Sequence, residues 1–169
     1  PIALLRDGGT TTKEFRQLIA ELAALLTYEA TRDLETEPVE VETPLARTTE
    51  RKVSGKKLAV VPVFRAGLGM LDAVLDLIPV ARVGFVGLYR DEATLDPVEY
   101  YAKFPADLEQ RRVLLIDPML ATGGSTSAAC ALLKGHGAER ITVICLVAAP
   151  EGVERVAADH PDVHVVAAS

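Results

Sequence analysis

Val113-Leu114-Leu115-Ile116-Asp117-Pro118-Met119-Leu120-Ala121-Thr122-Gly123-Gly124-Ser125-Thr126 is the stretch on which the fold turns. Its first four residues form a short apolar run, which predicts a buried strand. An acid follows, then a loop with paired glycines, then a helix from Ser125 to His136 with Gly135 and Gly137 as stop signals. Glycines let the backbone approach a bound group closely and turn its N–H groups inward. The helix start adds unpartnered N–H donors and the positive end of a dipole. Thr122, Ser125 and Thr126 add hydroxyls. Together Thr122, Gly123, Gly124, Ser125 and Thr126 are expected to cradle a phosphate.

Three other glycine-loop chemistries do not fit. The pattern G-x-x-x-x-G-K-[ST] needs a lysine after the glycines, and none follows. The dinucleotide pattern G-x-G-x-x-G is begun by Gly67 and Gly69, but Asp72 stands where the third glycine belongs. No G-x-S-x-G elbow occurs for a nucleophilic serine.

Working outward, Leu58 to Val63 predicts another buried strand, with Pro62 tolerable near its end. A small-residue turn, Arg65-Ala66-Gly67, leads into a helix marked by Leu68, Leu71, Val74, Leu75 and Ile78. Arg82 to Leu88 and Ile141 to Val147 predict two further strands. Pro150 opens a helix at its favoured first position, and Val163 to Val166 is a last strand. Near the start, Thr11-Thr12-Lys13-Glu14 has the form of a capping box. Phe15, Leu18, Ile19, Leu22, Leu25 and Leu26 then mark a helix to about Thr31, its stripe facing the core or another subunit. From Glu35 to Lys57 the pattern is mixed. Val39 to Thr43 alternates as a half-exposed strand ended by Pro44, and Lys52 to Lys56 predicts a turn. Strands alternating with helices predict an α/β fold, a mostly parallel central sheet flanked by helices, as a single domain over 1–169. Ligands bind such sheets beyond the carboxyl ends of the strands. The two ends to inspect are those before Arg65 and Asp117.

Composition narrows the function classes. The chain has 169 residues, 49% of them hydrophobic and 25% charged, enough for one domain with a sizeable core. No apolar run reaches the length of a bilayer span, and no secretion signal is visible. The net charge of −6 and the lack of a basic block disfavour nucleic acid as a partner. Cys130 and Cys145 stand in apolar stretches without a C-x-x-C pairing, which predicts buried, reduced thiols and a cytoplasmic home. His136, His160 and His164 read as solvent-facing or structural groups.

Val113 to Thr126 resembles the donor-binding signature of the type I phosphoribosyltransferases: apolar strand, acid, then a Thr-Gly phosphate loop. Most branches of that family carry two adjacent acids. Here Pro118 replaces the second, and Asp117-Pro118-Met119-Leu120-Ala121-Thr122-Gly123-Gly124-Ser125 is the version of the uracil-specific branch. Phe64 to Met70, Gly87 to Glu92 and Leu146 to Gly152 agree with that branch, in order along the chain.

The resemblance implies transfer of the 5-phosphoribosyl group from 5-phospho-α-D-ribose 1-diphosphate to uracil, giving UMP and diphosphate. It implies the type I fold with a β-arm near residues 89–104, mobile over the donor and carrying Arg90. It implies that Arg65, Ala66 and Gly67 hold diphosphate and that Asp117 accepts from the ribose hydroxyls. The whole loop, Pro118, Met119, Leu120 and Ala121 included, would face the donor. Asp117, Arg65 and Arg90 are then the catalytic candidates. Magnesium, carried by substrate phosphates, is the implied cofactor, with no dedicated protein metal site. A homodimer or higher homo-oligomer is the family habit. The family's base-recognition stretch, of the form Tyr-Ile-Val-Pro-Gly-Leu-Gly-Asp-Ala-Gly-Asp, does not occur before Ser169, and the expectation is that further residues flank the sequence. The alternatives are transfer to another nucleobase, a nucleotide-sensing regulator of the same fold, and an inactive scaffold that binds phosphate only.

Overall fold

The structure, a computed structural model, describes residues 2–54, 58–91 and 97–169. Helix α1 (Ile2–Leu5) precedes α2 (Thr12–Ala30), which starts at the predicted capping box. The Thr11 hydroxyl accepts from the Glu14 amide at 3.3 Å, and the Glu14 carboxylate accepts from the Thr11 amide at 3.0 Å. The Thr11 hydroxyl, 2.7 Å from the same carboxylate, and then the Thr11 amide hold the Glu14 carboxyl below its ordinary pKa. Helix α2 buries Leu22, Ala23, Leu26, Thr27 and Ala30. Leu25, counted in the predicted stripe, is 64% exposed, because the buried face is centred on Leu22 and Leu26.

Strands β1 (Thr36–Glu42) and β2 (Arg47–Val53) form an antiparallel hairpin apart from the main sheet. The sequence suggested only the second half of β1. Arg47-Thr48-Thr49-Glu50-Arg51-Lys52-Val53 has no apolar alternation to betray a strand, since neither face of this ribbon is buried. The predicted turn at Lys52 is therefore wrong for Lys52 and Val53, which pair with Glu37 and Thr36. Gly55 and Lys56 of that turn lie outside the described residues.

Strand β3 (Leu58–Phe64) leads into α3 (Leu68–Leu77). The single strand predicted over Arg82 to Leu88 is broken at Gly84 into β4 (Arg82–Val83) and β5 (Phe85–Arg90). Both pair with β3, β4 at Ala59 and Val60 and β5 at Val63 and Phe64. The interruption falls at the level of Pro62, which has no N–H to offer a ladder. Strand β6 (Pro97–Lys103) returns antiparallel to β5 with a bulge at Gly87/Leu88. This is the expected β-arm, rooted four residues earlier than the sequence placed it; residues 92–96 of its polar tip lie outside the described residues.

After a 3-10 turn at Leu108–Gln110 come β7 (Arg112–Ile116), the two-residue β8 (Met119–Leu120) and α4 (Gly124–Gly135). Strands β9 (Arg140–Cys145) and β10 (Val147–Ala148), helix α5 (Pro150–Asp159) and β11 (His164–Ala167) complete the chain. The run predicted as one strand over Ile141 to Val147 thus divides after Cys145.

The main sheet has the order β11-β9-β7-β3-β5-β6, with β4 beside β3; all pairings are parallel except β5 with β6. Alternation along β7 sorts its residues to two cores. Leu114 and Ile116 pack with Leu22, Leu26, Met70 and Val74 from α2 and α3. Val113 and Leu115 pack with Ala129, Cys130 and Leu133 of α4. A sheet covered on both faces explains why β7 and β3 read as unbroken apolar runs. Both cysteines are buried and free, and burial pushes each thiol up to about 12. Among the described residues no helix is long and apolar enough to cross a membrane.

Candidate active site

The carboxyl ends of β3 and β7 lie side by side, because Pro62 is in register with Ile116. The loops that leave them, Arg65-Ala66-Gly67 and Asp117 to Gly123, therefore meet at one edge. The Phe64–Arg65 peptide is cis. Arg65 and Ala66 are exposed while Gly67 is buried. Among the described residues the Arg65 side chain has no hydrogen bond or ion pair, so its charge is available to a ligand. Phe64 stacks on Tyr101 at 5.9 Å and lies 5.3 Å from Phe85, tying the root of the arm to the residue before Arg65. Arg90 ends β5, three residues past Gly87, which pairs with Phe64.

Asp117 sits at the end of β7, half-buried. Its amide donates to the Ile144 carbonyl at 3.1 Å, and a carboxylate oxygen stands 3.5 Å from the Met119 amide. Burial outweighs that single donor and pushes the carboxyl up to about 6. The strand end thus holds a carboxylate poorly compensated by the protein itself, ready for outside donors.

The loop beyond it is strapped to the segment after β9. Strand β8 pairs in parallel with β10. The Pro118 carbonyl accepts from the Leu146 and Val147 amides, and the Leu120 carbonyl from the Ala149 amide at 2.8 Å. None of these straps could be read from the sequence, since they join residues about 28 positions apart in an irregular segment. They hold the loop so that Gly123 immediately precedes α4 with a φ of 78°, the left-handed conformation that favours glycine. The helix has no side-chain N-cap. The amides of Gly124, Ser125 and Thr126 therefore have no partner among the described residues, and the first helical bond is Ser127 N–H to the Gly123 carbonyl at 2.8 Å. Thr122 is exposed, Ser125 half-buried and Thr126 only 2% exposed.

Helix α4 is pinned from behind. Ser127 donates its hydroxyl to Asp159 at 2.6 Å, and His160 Nε2 lies 2.9 Å from the Ser127 carbonyl. A carbonyl only accepts, so Nε2 carries the proton and Nδ1 accepts from Lys134 Nζ at 3.3 Å. His160 is thus a buried structural group, while His136 and His164 are exposed. Ser127 and its partners were not singled out as site residues, because nothing local marks their contact.

A groove of about 590 Å³ adjoins both loops. Ala66, Pro118, Met119, Leu146 and Val147 line it, with Leu5, Phe15 and Ile19 of the first two helices and Arg6 at its rim. Its walls are almost wholly apolar and suit a flat, uncharged ring. Among the described residues no group of three or more His, Cys, Asp or Glu side chains is placed to hold a metal ion.

The family model described as uracil phosphoribosyltransferase matches residues 2–169. The chain belongs to the uracil phosphoribosyltransferase family. Curated uracil phosphoribosyltransferases from Clostridium beijerinckii, Clostridium botulinum and Staphylococcus epidermidis are 55%, 53% and 52% identical over 168 residues. Those matches cover 99% of this chain and 80% of each relative. Among solved structures, a protein from Aquifex aeolicus superposes with a TM-score of 0.91 at 32% identity, over 98% of this chain and 79% of that one. A purine phosphoribosyltransferase from Pyrococcus horikoshii shares the fold with a TM-score of 0.57 at 17% identity, over 93% and 84%.

Proposed function

We propose that this uracil phosphoribosyltransferase family member transfers the 5-phosphoribosyl group of 5-phospho-α-D-ribose 1-diphosphate to uracil, giving UMP and diphosphate. The observation that carries it is Asp117 at a strand end, one short loop before a helix N-terminus whose first amides have no partner among the described residues. Phosphate binds such a terminus through N–H groups and the helix dipole. The 5-phosphate belongs there, on Thr122, Gly123, Gly124, Ser125 and Thr126. The Arg65 guanidinium, unpaired among the described residues and beside Ala66 and Gly67, suits the diphosphate. The apolar groove at Ala66, Pro118 and Met119 suits the base.

In the reaction, uracil N1 bonds to ribose C1 as the C1–O bond to diphosphate breaks, and the N1 proton passes to water or to the departing diphosphate. Positive charge develops on the ribose ring. Asp117 accepts hydrogen bonds from the ribose hydroxyls and presents its negative charge to that ring. No protein nucleophile is needed; the residues position the reactants and stabilise charge. Closure of the β5–β6 arm would keep water from the cation and bring Arg90 to the donor. Magnesium bound through the donor's phosphates would neutralise the leaving diphosphate, and Asp117 is the carboxylate these loops offer it.

A homodimer or higher homo-oligomer is part of the same proposal. Phe15, Leu25 and Tyr28 are exposed on α2 at 41%, 64% and 64%, which favours a partner surface there. Reduced, buried thiols fit a cytoplasmic home.

The test mixes the protein with magnesium, the donor and each nucleobase in turn, and measures diphosphate release. Release with uracil alone is expected. Release with guanine or adenine instead overturns the acceptor, and no release with any base leaves a sensor or scaffold.

A further inference from the structure

Helix α5 carries a cation to the glycines of the phosphate loop. A Cβ built on Gly124 would stand 3.5 Å from Arg155 Nη1 and 3.9 Å from its Cζ. A Cβ on Gly123 would meet the Arg155 Cβ at 3.2 Å. The Arg155 side chain therefore packs beside Gly123 and Gly124, with its guanidinium next to the first residue of α4. We propose that Arg155 is a further donor-binding residue, its guanidinium assisting the Gly124 and Ser125 amides in holding the 5-phosphate. This rests on the phosphoribosyl-donor reading of the loop.

Two observations beyond proximity support it. Arg155 is only loosely engaged elsewhere. Its Nε stands 3.5 Å from Asp159 Oδ2, and the same oxygen already takes the Ser127 hydroxyl at a much shorter 2.6 Å. The Arg155 side chain is 52% exposed, so its terminal torsions are free to swing the guanidinium toward a bound dianion. The backbone of α5 cannot drift away, because its first turn is strapped to the loop by the Ala149 amide on the Leu120 carbonyl. A tethered helix with a free-ended cation is a fitting partner for phosphate. Amides supply direction, and the guanidinium supplies the charge they lack.

The half-exposed position sets a modest size for the effect. Screened by solvent, one such charge should change phosphate affinity by about threefold to tenfold. The experiment compares the intact protein with Arg155→Gln, Arg155→Lys and Asp159→Asn. Ribose 5-phosphate binding is measured by calorimetry at low and high salt, beside donor KM and kcat. Arg155→Gln is expected to weaken ribose 5-phosphate and raise donor KM by that factor, with kcat within about twofold, and to flatten the salt dependence. Arg155→Lys should restore most of the affinity. Asp159→Asn frees the guanidinium and should leave binding unchanged or tighter. Unchanged ribose 5-phosphate affinity in Arg155→Gln overturns the proposal. An equal loss in Asp159→Asn also overturns it, since that pattern means Arg155 only braces the helix. If the unaltered protein fails to bind ribose 5-phosphate, the donor reading of the loop itself falls, a result distinct from either of these.

Discussion

Gly67 is packed so closely on Ile116 that a Cβ added to it would collide with the Ile116 carbonyl oxygen, and would stand only 2.8 Å from the Val63 amide nitrogen. This contact fuses the two loops of the site. The turn carrying Arg65 rests directly on the strand end that carries Asp117. Gly67→Ala should therefore push the loops apart. An overpacking cost of about 1–3 kcal/mol is expected, with donor KM raised at least about tenfold because Arg65 and Asp117 no longer share one geometry. Denaturant unfolding and donor KM check the two effects; a variant normal in both would mean that the turn relaxes freely.

Asp117 sets an acid limit. Its folded pKa of about 6 lies above the ordinary 3.8 because of burial. Below pH 6 the carboxyl is protonated and loses one acceptor site and its charge. The kcat/KM for the donor should fall below about pH 6, with a slope approaching one. Donor binding adds hydroxyl donors, so the limb in kcat should sit at lower pH. A pH profile without an acid limb between 5 and 7 would remove Asp117 from the chemistry.

The same shift makes a prediction for stability. The folded state holds its Asp117 proton more tightly than the unfolded chain does. Ionisation therefore opposes folding, fully above pH 6, and the penalty disappears as pH falls below 3.8. A shift of this size corresponds to at most about 3 kcal/mol. Asp117→Asn should raise Tm by a few degrees at pH 8 and lose that advantage near pH 4, while lowering kcat by about 100-fold or more. Calorimetric scans at the two pH values check the sign.

Gly123 bears a positive φ of 78°, and a Cβ there would lie 2.8 Å from the Gly152 carbonyl oxygen. Gly123→Ala combines backbone strain with a backbone clash. It should cost about 1–3 kcal/mol and abolish measurable ribose 5-phosphate binding. Calorimetric titration and thermal unfolding report the two consequences separately.

Ser127→Ala removes the hydroxyl that joins α4 to Asp159 while keeping its backbone carbonyl on His160. A loss of about 1 kcal/mol is expected, with kcat nearly unchanged, because the Ser127 hydroxyl is turned to Asp159 on α5. A large fall in kcat would mean that the brace also tunes the loop. His160→Phe should cost more, about 1–3 kcal/mol, since it removes the buried imidazole bond to the Ser127 carbonyl and the partner of Lys134 Nζ together.

Much of the molecule is legible locally. Thr11 and Glu14 announce α2 because a capping box is a short-range device. The apolar runs at Leu58 to Val63 and Val113 to Ile116 announce strands because both faces of a parallel sheet are covered. The glycines after Asp117 announce a tight strand-to-helix turn because Gly123 takes a positive φ of 78° that few other residues fit. Arg47 to Val53 stayed hidden, since a ribbon exposed on both faces carries no hydrophobic period. The break at Gly84 stayed hidden because it is set by the neighbouring strand, at Pro62.

The sequence by itself determined the alternation of strands and helices and the glycine loop from Asp117 to Ser125, since each rests on residues a few positions apart. The tertiary structure alone decided what surrounds that loop: Gly67 against Ile116, the straps from Pro118 and Leu120 to the β10 segment, the burial that lifts Asp117, and Arg155 beside Gly124. These are meetings between distant segments. They depend on sheet order and packing, which no local pattern of residues encodes.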